Sequence, residues 1–135
     1  MTSIKKALCQ FWGSFMVDGE RVSVYGEDVI SPEGVSFPYF IFRAEIPDVF
    51  VTLETSATAW FDATKSGANI RRSTLCDAIA KAIPIQGVKL PLSTEGFIVL
   101  HRSTGTFLTD YTPNDQDTVI GARVGFTITN YSTIL

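Results

Sequence analysis

Hydrophobic positions recur at two spacings along this chain, and the spacing separates helices from strands. Near the start, Ile4, Ala7, Leu8, Phe11, Trp12 and Phe15 recur every three or four residues and form one stripe of an amphipathic helix. Lys5, Lys6, Gln10 and Ser14 occupy the other side, and Thr2 or Ser3 offers a hydroxyl to cap the first turn. From Pro38 to Asp62 the period is two. Phe42, Ala44 and Ile46 alternate with Arg43 and Glu45. Val51, Leu53, Ala57, Ala59 and Phe61 then share a side, interrupted by Thr55, while Thr52, Glu54, Ser56, Thr58 and Asp62 point away. This alternation predicts two half-buried, neighbouring strands. Pro47-Asp48 bends the chain between them, because proline lacks the N–H a central strand needs.

Val22 and Val24 alternate with Arg21, Ser23 and Tyr25, which predicts a short strand before the long pair. Gly26, Asp28, Pro32 and Gly34 punctuate a loop expected to be mobile or ordered by a partner. After the break at Lys65-Ser66-Gly67, Ile70 to Ile83 reads as a helix stopped by Pro84, with Ile70, Leu75, Ala78, Ile79, Ala82 and Ile83 on its buried side. Arg71 and Arg72 stand near its start, where the helix dipole disfavours cations. That argues for a later start, capped by Ser73 or Thr74, or else for arginines that answer an acidic partner. Gln86 to Leu92 predicts a short strand, and the apolar run Phe97 to Arg102 a central one. The polar stretch 103–117 reads as a long loop carrying Phe107, Leu108 and Tyr111. In the last strand Ile120, Ala122, Val124, Phe126 and Ile128 oppose Gly121, Arg123, Gly125, Thr127 and Thr129. Together these elements predict a single α+β domain over residues 1–135, with a mostly antiparallel twisted sheet and two helices packed on one face.

Charge and composition narrow the possible functions. The net charge is −3 and basic residues never cluster beyond a pair, which argues against direct nucleic-acid recognition. The N-terminal lysines resemble the start of a signal peptide, but Gln10 and Trp12 interrupt the apolar run, and no stretch reaches the roughly 20 apolar residues of a membrane span. The expectation is a soluble intracellular chain without a membrane partner. Cys9 and Cys76 lack any CxxC or neighbouring histidine and read as reduced, partly buried residues.

Candidate chemistry is sparse. His101 is the only histidine, and Ser103 shares its strand face, but no nucleophile elbow surrounds the serine. One histidine and two distant cysteines do not make a zinc site. Asp110, Asn114, Asp115 and Asp117 match a calcium loop only in composition, without its glycine and closing glutamate. No phosphate-cradling glycine motif occurs. Glu45 and Glu54 are ordinary residues for a sheet's wet face. No cofactor, metal or catalytic residue is expected. The noteworthy features lie at the surface: aromatics on the 103–117 stretch, an apolar segment Tyr131–Leu135, and strand edges that could join subunits.

Several features occur in a telling order: the helix ending Phe11-Trp12-Gly13, the Phe37-Pro38-Tyr39 entry to a strand, and Trp60-Phe61 in a long strand. The Ile70…Ile83 helix, the run Glu95 to Arg102, Phe107, and Asp115-Gln116-Asp117 before the closing strand complete it. This layout, over roughly residues 4 to 130, resembles the tail terminator (tail-completion, or minor tail) proteins of long-tailed bacteriophages. The resemblance implies a non-enzymatic virion protein at the head-proximal end of the tail, assembled in the host cytoplasm. Such proteins form a ring, commonly a hexamer, that ends polymerisation of the tail tube and meets the head–tail connector proteins. The expected partners are thus further copies of the chain, the tail tube protein and the connector proteins. The chain departs from the family's pattern in its Ser-, Thr- and Asp-rich second half and its apolar end. The candidate interface residues are Phe107, Leu108 and Tyr111 on the loop, and Arg71 and Arg72 near the helix start. Two alternatives stay open: a head-closure or neck connector protein, and a small intracellular ligand-binding or hydrolytic domain using His101 with Ser103 or Asp110.

Overall fold

The computed structural model describes residues 3–26, 37–42, 51–93, 96–112 and 118–131. Several expectations lie outside the described residues: the alternation through Ala44 and Ile46, Glu45, the Pro47-Asp48 bend, the loop between 27 and 36, Asn114, Asp115 and Asp117, and Ser132 to Leu135.

The sheet is built around its two longest strands. Strand β5 (Thr52–Asp62) runs antiparallel to β9 (Val119–Asn130), in register from Thr52 opposite Thr129 to Asp62 opposite Val119. Beyond β5 lie β4 (Tyr39–Phe42), antiparallel to it, and β3 (Ser23–Gly26), parallel to β4. The other flank of β9 is shared. Strand β7 (Phe97–Arg102) pairs with its C-terminal part and carries β6 (Val88–Pro91) on its far side, while β8 (Leu108–Tyr111) pairs with residues 121–124. The order is β3-β4-β5-β9-β7-β6 with β8 also on β9, and β3–β4 is the one parallel pairing in this sheet. The fold is α+β, with two helices and a mostly antiparallel, strongly curled sheet, as the hydrophobic spacing predicts.

Alternation decides which face is buried. Ala57, Ala59 and Phe61 of β5 face the core, as do Ala122, Val124, Phe126 and Ile128 of β9, Ile98 and Leu100 of β7, and Phe40 and Phe42 of β4. Helix α1 (Ser3–Trp12) adds Ile4, Ala7, Leu8 and Trp12 to the same core, and Phe15 follows them beyond the helix end. Trp12 is fully buried among Phe11, Phe15, Phe40 and Phe126, with ring centroids 5.0–5.9 Å away. Its indole N–H is the one buried side-chain polar atom without a hydrogen-bond partner among the described residues. Leaving such a donor unmade costs about 1–3 kcal/mol, which the burial of a large ring can offset.

Two expectations need correction, and one hairpin was not expected. Strands β1 (Met16–Val17) and β2 (Glu20–Arg21) form a hairpin closed by Asp18-Gly19, both with positive φ (53° and 79°), the conformation of a two-residue turn that Asp-Gly favours. Helix α2 (Ala68–Ala82) does not start at Ser73 or Thr74 but after Gly67, whose left-handed φ of 85° turns the chain. Its buried side is narrower than expected: Leu75, Ile79 and Ile83 are fully buried, Ala78 and Ala82 partly, and Ile70 is 73% exposed. The stretch 103–117 is not one long loop, because Leu108 to Tyr111 form β8 on the flank of β9.

The far end of α2 is clamped from the sheet. Arg102, the last residue of β7, donates from Nε to the Ile83 carbonyl (2.7 Å) and from Nη2 to the Ala80 carbonyl (2.8 Å). A cation on these otherwise orphaned carbonyls also suits the negative end of the helix dipole. The same guanidinium lies 4.6 Å from the centre of the Phe107 ring, so one side chain ties β7, α2 and the 103–107 crossing together.

Candidate interaction surface

The face of the sheet opposite the core is set by the same alternation. Tyr39, Trp60, Gly121 and Tyr111 are register partners across β4, β5, β9 and β8, so they form one transverse row. Gly121 makes room within it: a Cβ there would lie 3.0 Å from two atoms of the Trp60 ring. Trp60 meets Tyr111 edge-on at 5.5 Å, and the Arg123 guanidinium sits 5.0 Å from the centre of the Tyr111 ring. Tyr39 continues the row towards Tyr25 (5.8 Å) and Phe37 (5.2 Å). Tyr39 is buried, and burial together with the nearby Tyr25 pushes its hydroxyl pKa up. The aromatic row is not in any one strand's pattern; the strand register assembles it.

The five candidate interface residues separate into four environments. Arg72 reaches Asp110 at 3.4 Å, Asn69 Oδ1 at 3.0 Å and the Gly121 carbonyl at 3.5 Å, so its acidic partner is internal and comes from β8. This pairing explains how the N-terminal half of α2 tolerates Arg72. Tyr111, next to Asp110, is exposed on the outer face. Leu108 and Phe107 instead pack against the core, contrary to the expectation that the fold would leave these aromatics and aliphatics of the 103–117 stretch uncovered. Leu108 shares the inward face of Val124, and Phe107, just before β8, is covered by Arg102. Arg71 lies apart, lining a cleft of about 160 Å³ with Asp62, Lys65, Phe37 and Pro38.

That cleft marks one end of the β5–β9 ladder. Asp62 accepts hydrogen bonds there from the Thr64 amide (3.0 Å) and hydroxyl (2.5 Å), which lower its carboxyl pKa, with smaller help from Lys65 and Arg71. The opposite end is apolar. Val51 is 70% exposed and accepts from the Asn130 amide, Tyr131 is 53% exposed and stacks on Phe97 at 5.0 Å, and Lys89 covers the same Phe97 ring at 4.1 Å. Ten steps of extended chain separate the ends, about 33 Å.

His101 and Ser103 are not brought together as a catalytic pair. The Ser103 hydroxyl donates to Glu54 Oε1 at 2.6 Å, and the His101 ring lies against Gly87, where a Cβ would come within 2.7 Å of it. The imidazole has no hydrogen-bond or ion-pair partner among the described residues, and Asp110 is engaged with Arg72 on the helix side of the sheet. Among the described residues no group of His, Cys, Asp or Glu could hold a metal ion. No described helix is long and apolar enough to cross a membrane. Cys9 and Cys76 are free thiols whose pKa burial raises, so both are poor nucleophiles at neutral pH. Comparison with protein-family models, curated proteins and solved structures finds no match to this chain.

Proposed function

We propose that this chain is a structural virion protein of a long-tailed bacteriophage, forming a ring that caps the tail tube and presents the surface joined by the head connector. The observation that carries the proposal is the pair of unlike ends on the β5–β9 ladder. Val51, Phe97 and Tyr131 make one end apolar, while Asp62, Lys65 and Arg71 make the other charged. A ring subunit held between two different neighbours uses chemically distinct surfaces on opposite sides, and ring closure itself needs heterologous contacts. The order of sequence features described above supplies the specific assignment to tail termination. The aromatic row around Trp60 and Tyr111 offers side-to-side contact, since aromatic residues and arginine are favoured at interfaces.

The test is the solution mass across a concentration series, with and without tail tube protein, combined with negative-stain imaging. Rings alone or on addition of tube protein are expected. Tyr111→Glu should keep the unfolding midpoint of the parent and fail to form rings. Phe107→Glu is a poor probe, because it buries charge against the core and unfolds the domain. A strict monomer indifferent to tube protein sinks the terminator assignment. Binding to connector protein instead would reassign the chain to the head-closure or neck class.

A further inference from the structure

The main path of the sheet ends on β3 and β6, with the short β8 as a third edge beside β7, and the two terminal edges are built differently. In β6, Leu92 donates its amide to the Gly96 carbonyl, so Leu90 and Val88 also turn theirs towards β7. Lys89 and Pro91 are left facing outwards. Pro91 has no N–H, and an exposed lysine is the other common means of blunting an edge, so β6 is closed to further pairing. Edge β3 carries neither device. Ser23 donates its amide to the Pro38 carbonyl, and Tyr25 faces β4 by alternation. The backbone N–H and C=O groups of Val22 and Val24 therefore point away from β4, while both side chains pack on the core. The Val22 amide is taken by the Phe15 carbonyl, while Val24 presents its N–H and C=O unpaired among the described residues.

A groove runs beside this open edge. Its helical wall is the end of α1, with Cys9, Gln10, Gly13 and Ser14, and its other wall is β3 with Arg21. Gly13 leaves this part of the wall without a side chain: a Cβ there would crowd the Cys9 carbonyl oxygen at 2.9 Å and touch Val24 Cγ2 at an ordinary 3.6 Å. Arg21 is the only charged lining residue, is exposed, and has no acidic partner among the described residues. Lys6, one helical turn before Gln10, is likewise exposed and unpaired there. In a chain of net charge −3, both lone cations beside the groove have the same sign.

We propose that the β3 edge and the α1 wall form a strand-addition site for an extended, acidic segment of a partner protein. The segment's backbone pairs with Val24, its small or β-branched residues lie against Gly13 and Cys9, and a carboxylate meets Arg21. Because β6 is closed, two copies cannot join by continuing one sheet from β6 of one into β3 of the next. This inference stands whether or not the protein forms rings.

The probe is a synthetic extended hexapeptide, acetyl-Glu-Val-Thr-Val-Thr-Glu-amide, compared with the same peptide carrying lysine at both ends. Two readouts apply to the intact protein: amide shifts of Val24 and Tyr25 by NMR, and alkylation of Cys9 with Cys76 in α2 as internal control. Expected are saturable shifts, protection of Cys9 but not Cys76, and at least tenfold weaker binding of the lysine peptide. Val24→Pro removes the outward N–H without touching the bonds to β4, and Arg21→Glu reverses the groove's charge. Each should weaken the acidic peptide at least tenfold; Arg21→Glu, at an exposed position, should leave the urea midpoint unchanged, whereas Val24→Pro also loses a side chain packed on the core and should lower it. If Val24→Pro fails to fold, Arg21→Glu alone decides. No saturable shift at Val24, or equal affinity for both peptides, overturns the proposal.

Discussion

Replacing Gly125 with alanine isolates how the 103–107 segment crosses the central strand. Two hydrogen bonds fix the crossing, from the Gly125 amide to the Phe107 carbonyl (2.8 Å) and from the Ser103 amide to the Gly125 carbonyl (3.0 Å). A Cβ on Gly125 would stand 2.5 Å from the Thr106 carbonyl oxygen and 3.2 Å from Ser103 Cβ. Close carbon–oxygen contacts lie near about 3.3 Å, so something must move by roughly 0.8 Å. The obstacle is a backbone carbonyl between two bonded neighbours, which cannot swing aside as a side chain could. Overpacking costs about 1–3 kcal/mol and each weakened backbone bond up to about 1, against a gain of about 0.4–1 from a stiffer unfolded chain. The expected net loss is about 2–3 kcal/mol. With a urea slope of about 1–3 kcal/mol/M, the midpoint followed by tryptophan fluorescence falls by about 1–2 M. Gly121→Ala, which meets the Trp60 ring at 3.0 Å and the Ala59 carbonyl at 3.1 Å, should lose less, because the ring can pivot. Gly105→Ala, with nothing within 4 Å, should match or exceed the parent. If Gly125→Ala and Gly105→Ala unfold at the same concentration, the crossing is not packed as described and the reasoning fails.

Further outcomes follow from single side chains. Arg102→Ala removes two charge-assisted bonds to the end of α2 and the contact with Phe107; it should cost about 2–4 kcal/mol and speed amide exchange in the last turn of α2, whereas loss of exchange protection elsewhere but not there would refute the clamp. Asp62 should titrate below the ordinary carboxyl value of 3.8, because its two bonds from Thr64 favour the charged form. A depressed folded-state pKa stabilises above the unfolded value and is lost as pH falls through the folded one, so Asp62→Asn should flatten the stability curve only below about pH 4. An Asp62 midpoint by NMR at or above 3.8, or an Asn variant with unchanged acid dependence, would count against it.

The sequence was most legible where one element carries its whole pattern. Five apolar residues at every second position in β9, and six on one stripe around α1, fix both elements without help from the rest of the chain. It was least legible where a partner lies far off in sequence. The helix dipole alone predicts too late a start for α2, because Arg72 is answered by Asp110, which only the β8–β9 register brings near. Strand β8 escaped notice because, of its four residues, only Leu108 packs on the core, so no alternation shows. Ile70 fell at an apolar position of the expected helix, yet the core meets only the Leu75–Ile79–Ile83 side. Arg72 and Tyr111 were both visible as candidates, but that they approach the same β8–β9 ladder from opposite faces was not. The Asp18-Gly19 turn is carried by its dipeptide alone, a signal that hydrophobic spacing does not register.

Strand β9 touches β5 along one flank and both β7 and β8 along the other, and it comes after all of them in the chain. As the polypeptide grows, these three strands are therefore made without the neighbour that joins them. During that interval β5 offers eleven residues of open edge, and the apolar faces of Ile98 and Leu100 have nothing central to pack against. The pairings that hold the sheet together span long stretches of sequence, a topology that folds slowly and exposes its intermediates to association. The sheet thus cannot close before β9 is made, and a cell producing the protein in quantity must keep many half-made sheets apart until β9 arrives.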